Sequence, residues 1–177
     1  MNTYVLNVAT GREEYSADLL RSLTPLSTYH FWVPRKPVYY RSQGSVELIH
    51  TDLYPSYVFV DSVDYYSLLS ALREHHLYSY LNLLGKGAED IKRVSAEELE
   101  WIKRLGEIST AVLTDNRIHF TTGPLVGCDE AVKKYDRHKR SVMIRTEFLG
   151  QMRDVWLAVD VTPPLHYPSQ NSDQSPS

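Results

Sequence analysis

The chain has a single cysteine, Cys128, among its 177 residues, so no internal disulfide can form. No CxxC pair and no His/Cys spacing of the zinc-binding kind accompanies it, and no metal site is expected. No apolar run comes near the roughly 18 residues that a membrane-spanning helix requires. The opening residues, Met1 to Leu6, lack the basic start and long apolar stretch of a secretory signal. A cytoplasmic protein without a membrane partner is the expectation. The chain also has no nucleophile elbow, no glycine-rich phosphate loop and no pair of carboxylates with reason to converge. Neither catalysis nor a cofactor is expected.

What is present is ordinary in bulk and uneven in detail. Hydrophobic residues make up 42% and charged residues 23%, enough for one or two domains with real cores. The net charge of -3 argues against nonspecific coating of nucleic acid. Yet residues 1–106 carry 11 Lys/Arg against 13 Asp/Glu, while residues 117–161 carry 8 against 6. Within 133–140 the count is 5 against 1. A phosphate backbone feels local sign, because screening cuts off beyond about 8–10 Å.

The order of elements is legible. A short β-rich run, Tyr4 to Val8, precedes a helix over 13–23 with Ala17, Leu20 and Leu23 on one face. His30 to Val33 reads as a strand. Val38–Tyr40 and Val46–Ile49 flank a turn at Ser42–Ser45 and read as a protruding hairpin. Tyr57–Val60 is the next strand, and Leu68, Leu69 and Leu72 mark a helix beginning near Asp64. After a loop around Gly85–Gly87, Ser95 and Glu98 form a capping box for a third helix that Gly106 ends. Residues 107–116 read as an extended linker, too short and too poor in apolar area to stop two domains moving independently. From Ile118 to Val161 strand-like runs recur without a helix signal. Residues 163–177 are low in apolar residues and expected to be disordered. The class is therefore α+β: a mixed domain at 1–106, a linker, a small all-β domain at 117–162, and a tail.

Three groups of residues stand out as candidate sites. Tyr4, Phe31, Tyr54, Tyr57 and Phe59 are aromatics on strands, which either fill a core or form a Tyr-rich interface; Tyr54, beside Pro55, is the best candidate for an exposed anchor. Arg73, His75 and His76 follow the second helix, where cations complement its dipole; adjacent histidines do not face one another and make a poor metal site. Lys133, Lys134, Arg137, His138, Lys139 and Arg140 form the basic cluster. Asp136 interrupts it as a hairpin turn would, with Lys133 and Lys134 ending one strand and Lys139 and Arg140 opening the next. Arg145 and Arg153 extend the patch if register allows. A charge run is often only a solvated turn. Cations converging from neighbouring strands also suit phosphates, while Tyr135 or His138 can stack on an unpaired base.

Four landmarks in order carry a family resemblance: the run Tyr4 to Glu13 (YVLNVATGRE), the strand Leu53 to Val60 (LYPSYVFV), Gly123-Pro124-Leu125, and Phe148-Leu149-Gly150. Over residues 3–162 the chain resembles the NusG family of transcription elongation factors, and its basic cluster is most similar to specialised antiterminators of the LoaP type. The resemblance implies a ferredoxin-like NGN domain, an antiparallel sheet flanked by helices, followed by an SH3-like KOW barrel. It implies a monomer that binds RNA polymerase at the clamp coiled coil and gate loop through Tyr4, Phe31, Tyr39, Tyr40, Tyr54, Pro55 and Tyr57. The basic cluster with Arg145 and Arg153 would take an RNA hairpin in the nascent transcript, and Arg73, His75 and His76 the upstream DNA fork. The implied function is processive antitermination at chosen operons. A housekeeping elongation factor whose KOW domain binds proteins is the alternative, and an RNA-modifying enzyme is the rival of another class. Three positions depart from the family pattern: Thr3 replaces a frequent Trp, Ser56 a Gly, and Glu130 the glycine of generic KOW motifs.

Overall fold

The computed structural model describes residues 1–23, 26–75, 82–83 and 93–162, and the architecture is α+β. The loop at 85–87, His76 and the tail at 163–177 lie outside the described residues. No helix among the described residues is long and apolar enough to cross a membrane.

The first unit is built on an antiparallel sheet. Strand β1 (Asn2–Asn7) runs between β5 (Tyr57–Ser62) on one side and β6 (Asn82–Leu83) and β7 (Arg93–Val94) on the other, with β2 (His30–Trp32) outside β5. In the β1–β5 register Tyr4 faces Val60 and Leu6 faces Val58, whereas Val5 faces Phe59 and Asn7 faces Tyr57. Because side chains alternate along a strand, these two sets lie on opposite faces. Both faces are apolar, which is why β5 reads as a continuous buried run rather than an alternation. Helices α1 (Glu13–Ser22) and α2 (Tyr65–Glu74) cover the first face, with Ala17, Leu20, Leu68 and Leu72 meeting Tyr4, Leu6, Phe31, Val58 and Val60. Asp64 caps α2 by accepting the Ser67 amide at 2.8 Å. Helix α3 (Ala96–Arg104) carries the reciprocal Ser95/Glu98 capping box. It brings Ile102 to the second face.

The anticipated hairpin is a two-stranded arm, β3 (Arg35–Ser42) and β4 (Ser45–Asp52), closed by Gln43 and Gly44 at φ 47° and 87°. Two central residues at positive φ match the right-handed twist of the strands.

The second unit is a curled five-stranded sheet in the order β10 (Val132–Asp136), β11 (Ser141–Phe148), β12 (Gln151–Thr162), β8 (Ser109–Thr114), β9 (Arg117–Thr122). Strand β8 corrects the expected linker: residues 109–114 pair in parallel with β12 and antiparallel with β9. Ser109 and Ala111, small and fully buried, fit beneath the neighbouring strands. Their partner in β12 is about 50 positions distant, and no local pattern announces it.

The expected freedom between the two units is corrected as well. One hydrophobic cluster contains Val5, Tyr54, Tyr57 and Phe59 of the first unit with Val142, Phe148 and Leu149 of the second. Glu98 accepts the Leu149 amide at 2.9 Å across the same junction.

Two of the departures from the family pattern have structural outcomes. Ser56 adopts the glycine conformation, φ 73°, with its amide donating to the Glu13 carboxylate at 2.6 Å. Burial opposes ionisation of Glu13, but the amides of Ser56 and Gly11 together hold its carboxyl below the usual range. Glu130 sits in a 3₁₀ turn (Asp129–Ala131) and is not among the positive-φ residues; Gly127, at φ 83°, takes that conformation instead.

Gly123 is the glycine the fold cannot replace. Its φ is +87°, and an added Cβ would lie 2.5 Å from the Ile108 oxygen and 2.6 Å from the Ser109 Cα. Left-handed backbone costs about 1–2 kcal/mol and forced repacking about 1–3 kcal/mol. Gly123→Ala is expected to cost about 2–5 kcal/mol in a urea unfolding titration, and a loss under about 1 kcal/mol would contradict the close approach of Ile108 and Ser109.

Candidate nucleic-acid interface

Strand β10 leaves the sheet through a turn at 137–140 and returns as β11, so the basic run is a hairpin end. Lys139 and Arg140 lie in that turn rather than opening the next strand. Asp136 shapes it: its Oδ1 accepts the Lys139 amide at 3.0 Å, and this bond, with help from the His138 amide, holds the carboxyl below its ordinary value. The one acid in the run is thus occupied by the backbone.

The structure divides the eight candidate basic residues into two sets. Lys133, Arg137, His138 and Lys139 are exposed, and their side chains make no hydrogen bond or ion pair among the described residues. Lys134 is exposed too, with its ammonium 5.9 Å from the Trp156 ring centre. The other three are engaged. Arg140 ion-pairs with Asp160 and lies 4.0 Å over the ring of Tyr39, whose hydroxyl donates to the same Asp160 at 2.5 Å. Burial and Asp160 push the Tyr39 hydroxyl up. Arg145 forks onto Asp154 at 2.7 and 3.0 Å, which holds the Asp154 carboxyl below its usual value. Arg153 donates to the Tyr57 hydroxyl at 2.7 Å and stacks 5.1 Å over its ring. Arg140 and Arg153 therefore tie the two units together.

The aromatic candidates separate by face. Tyr4 and Phe31 are buried under the helices, Tyr4 against Tyr65 at 6.1 Å and Phe31 against Tyr29 at 6.3 Å. They are core. Tyr54 and Tyr57 lie on the opposite face, and Tyr54, expected as an exposed anchor, is only 3% exposed. Its ring stacks on Phe148 at 4.1 Å with an interplanar angle of 6°. Tyr40, at the end of the arm, is exposed, as is Pro55, while Tyr39 is half-buried. Arg73 is exposed in the last turn of α2 and His75 caps that helix, well apart in sequence from the basic turn.

Phe148, Asp160 and Glu98 were not singled out in the sequence as site residues, though each holds the junction. Phe148 enters there only within a family landmark, and its stacking partner Tyr54 is 94 positions away. No family model matches the chain, and no curated protein matches it.

The Tyr54 hydroxyl is buried with no hydrogen-bond partner among the described residues. Burial, opposed by the nearby Arg153, pushes it up to about 12. The folded state therefore holds this proton more tightly than the unfolded chain, and stability is lost as pH rises from about 10 through 12. Removing an unsatisfied buried hydroxyl relieves a cost of order 1 kcal/mol. Tyr54→Phe is expected to be more stable than wild type by about that amount, with a wider margin at pH ~11.5 than at pH ~8. Urea midpoints at both pH values check this; a destabilised variant would mean that the hydroxyl has a partner.

Proposed function

We propose that the chain is a NusG-type processive antitermination factor: its first unit binds transcribing RNA polymerase, and its second captures an RNA hairpin in the nascent transcript. The observation that carries the reading is the unpaired basic turn. Arg137 and Lys139 keep their charges exposed in the turn and Lys133 keeps its own on the strand that leads to it, while acids nearby are used by Arg140, Arg145 and the turn backbone. Cations without an acid partner are available for charge-assisted hydrogen bonds to phosphate oxygens.

The two-unit α+β architecture supports the polymerase half of the reading. Tyr40 and Pro55 are accessible as they stand. Contact through Tyr54 and Tyr57 requires Phe148 and Arg153 to leave that face, so polymerase binding by those residues competes with the junction between the units. RNA capture near polymerase raises the local concentration of one ligand at the other's site, which is how a factor of modest affinity becomes selective for particular genes.

Sequencing transcripts with and without the gene, then reconstituting the affected leader and terminator with purified polymerase, tests the proposal. Readthrough is expected to require the protein and the leader, and Arg137→Ala/Lys139→Ala is expected to abolish the leader dependence. Readthrough indifferent to both would exclude an antiterminator acting through this turn.

A further inference from the structure

Among the described residues, the curled sheet of the second unit leaves its two end strands, β9 and β10, unpaired with each other: β9 pairs only β8, and β10 only β11. Between them lies a cleft of about 680 Å³. Its lining combines apolar Ile118, the half-buried ring of Tyr135, and the cations Arg117, Lys133 and Lys134. His119 is exposed on its wall with Nδ1 3.3 Å from Asp129, whose other oxygen accepts the Phe120 amide at 3.0 Å. Asp129 thereby orients the imidazole and is itself spent on the edge of β9. The outward edges of both strands add backbone donors and acceptors outside any ladder.

We infer that this cleft is the seat of an unpaired nucleotide of the bound RNA, a deepening that rests on the RNA-binding reading above. An unpaired base needs an aromatic or planar surface to stack on, hydrogen-bonding groups for its edge, and cations for its phosphates. Tyr135 and His119 meet the first need, the strand edges the second, and Arg117, Lys133 and Lys134 the third. Strand β10 lines the cleft with Lys133, Lys134 and Tyr135 and enters the basic turn two residues beyond Tyr135, about 7 Å at strand rise, so the cleft and the turn adjoin. A stem whose phosphates rest on Arg137 and Lys139 therefore reaches the cleft with a bulge or loop nucleotide. Glu130, exposed on the lining and without a hydrogen bond among the described residues, favours a base bearing an amino group, since a carboxylate can only accept.

The test uses the full-length protein and two RNA hairpins of equal length, one fully paired and one with a single 2-aminopurine bulge. Affinity is read by anisotropy of an end label and stacking by the 2-aminopurine emission. Wild type is expected to prefer the bulged hairpin by about tenfold, the scale of one base stacked on an aromatic ring, with altered 2-aminopurine emission. His119→Ala and Arg117→Gln, both at exposed positions, are expected to lose the preference and the emission change while binding the paired hairpin as wild type does. Variants that keep the preference, or a wild type that binds both hairpins equally, would overturn the assignment of the cleft and leave the RNA-binding turn standing. A protein that binds neither hairpin would overturn the RNA reading itself, and the cleft with it.

Discussion

Phe148→Ala is expected to destabilise the protein by about 3–5 kcal/mol, the range for deleting a fully buried aromatic side chain. The ring has no exposed surface. It stacks on Tyr54 at 4.1 Å and lies 5.9 Å from both Tyr57 and Phe59, with the Arg153 guanidinium 5.8 Å from its centre. Four partners therefore lose contact at once, and three of them belong to the other unit. The cavity would open at the junction, where Glu98, Tyr57 and Arg153 also bridge. Loss of the ring should thus loosen the units from one another before either unfolds. Chemical denaturation measures the first effect. NMR relaxation measures the second: one rotational correlation time in the wild type, two in the variant. A variant within about 1 kcal/mol of wild type that still tumbles as one body would show that Phe148 is not the keystone of the junction.

Reversing Arg137 and Lys139 to Glu is expected to abolish RNA binding at physiological salt and to flatten its salt dependence. Each phosphate contact removed lowers the log–log slope by about 0.7–0.9, so two contacts lower it by about 1.4–1.8. The structure sets the controls. Arg145→Gln should leave the slope unchanged, because that guanidinium is already held by Asp154. Arg140→Gln is expected to act on the junction instead, by releasing Asp160 and the Tyr39 ring. Titrating a leader hairpin at several salt concentrations against these proteins separates the two sets of cations. Equal slopes for wild type and the Arg137/Lys139 reversal would reduce the cluster to a solvated turn.

Much of the local architecture is readable residue by residue. Ser95 and Glu98 announce the start of α3 and make both bonds of the capping box. Asp64 announces α2. The Gln43-Gly44 pair closes the arm, and Asp136 turns the chain within the basic run. Each of these rests on groups within about four positions of one another, where chain connectivity guarantees proximity. Strand β8 was not readable, because Ser109–Thr114 carries no strong periodicity and, beyond its hairpin with β9, joins the sheet through β12 about 50 positions away. Nor was the burial of Tyr54: an aromatic beside Pro55 suits an exposed anchor and a covered one equally well until its partner is known.

By itself, then, the sequence determined the α+β class, the order of most elements and the concentration of positive charge at 133–140. Tertiary structure alone decided which cations are free, which aromatics are covered, and that the segment at 109–114 lies beside β12. The physical reason lies in range. Capping, turn geometry and hydrophobic period act over a few residues and survive in any context that lets the chain fold. Whether Arg140 meets RNA or Asp160, and whether Tyr39 faces solvent or a residue 121 positions away, depends on how distant strands register and which face of a sheet another unit covers.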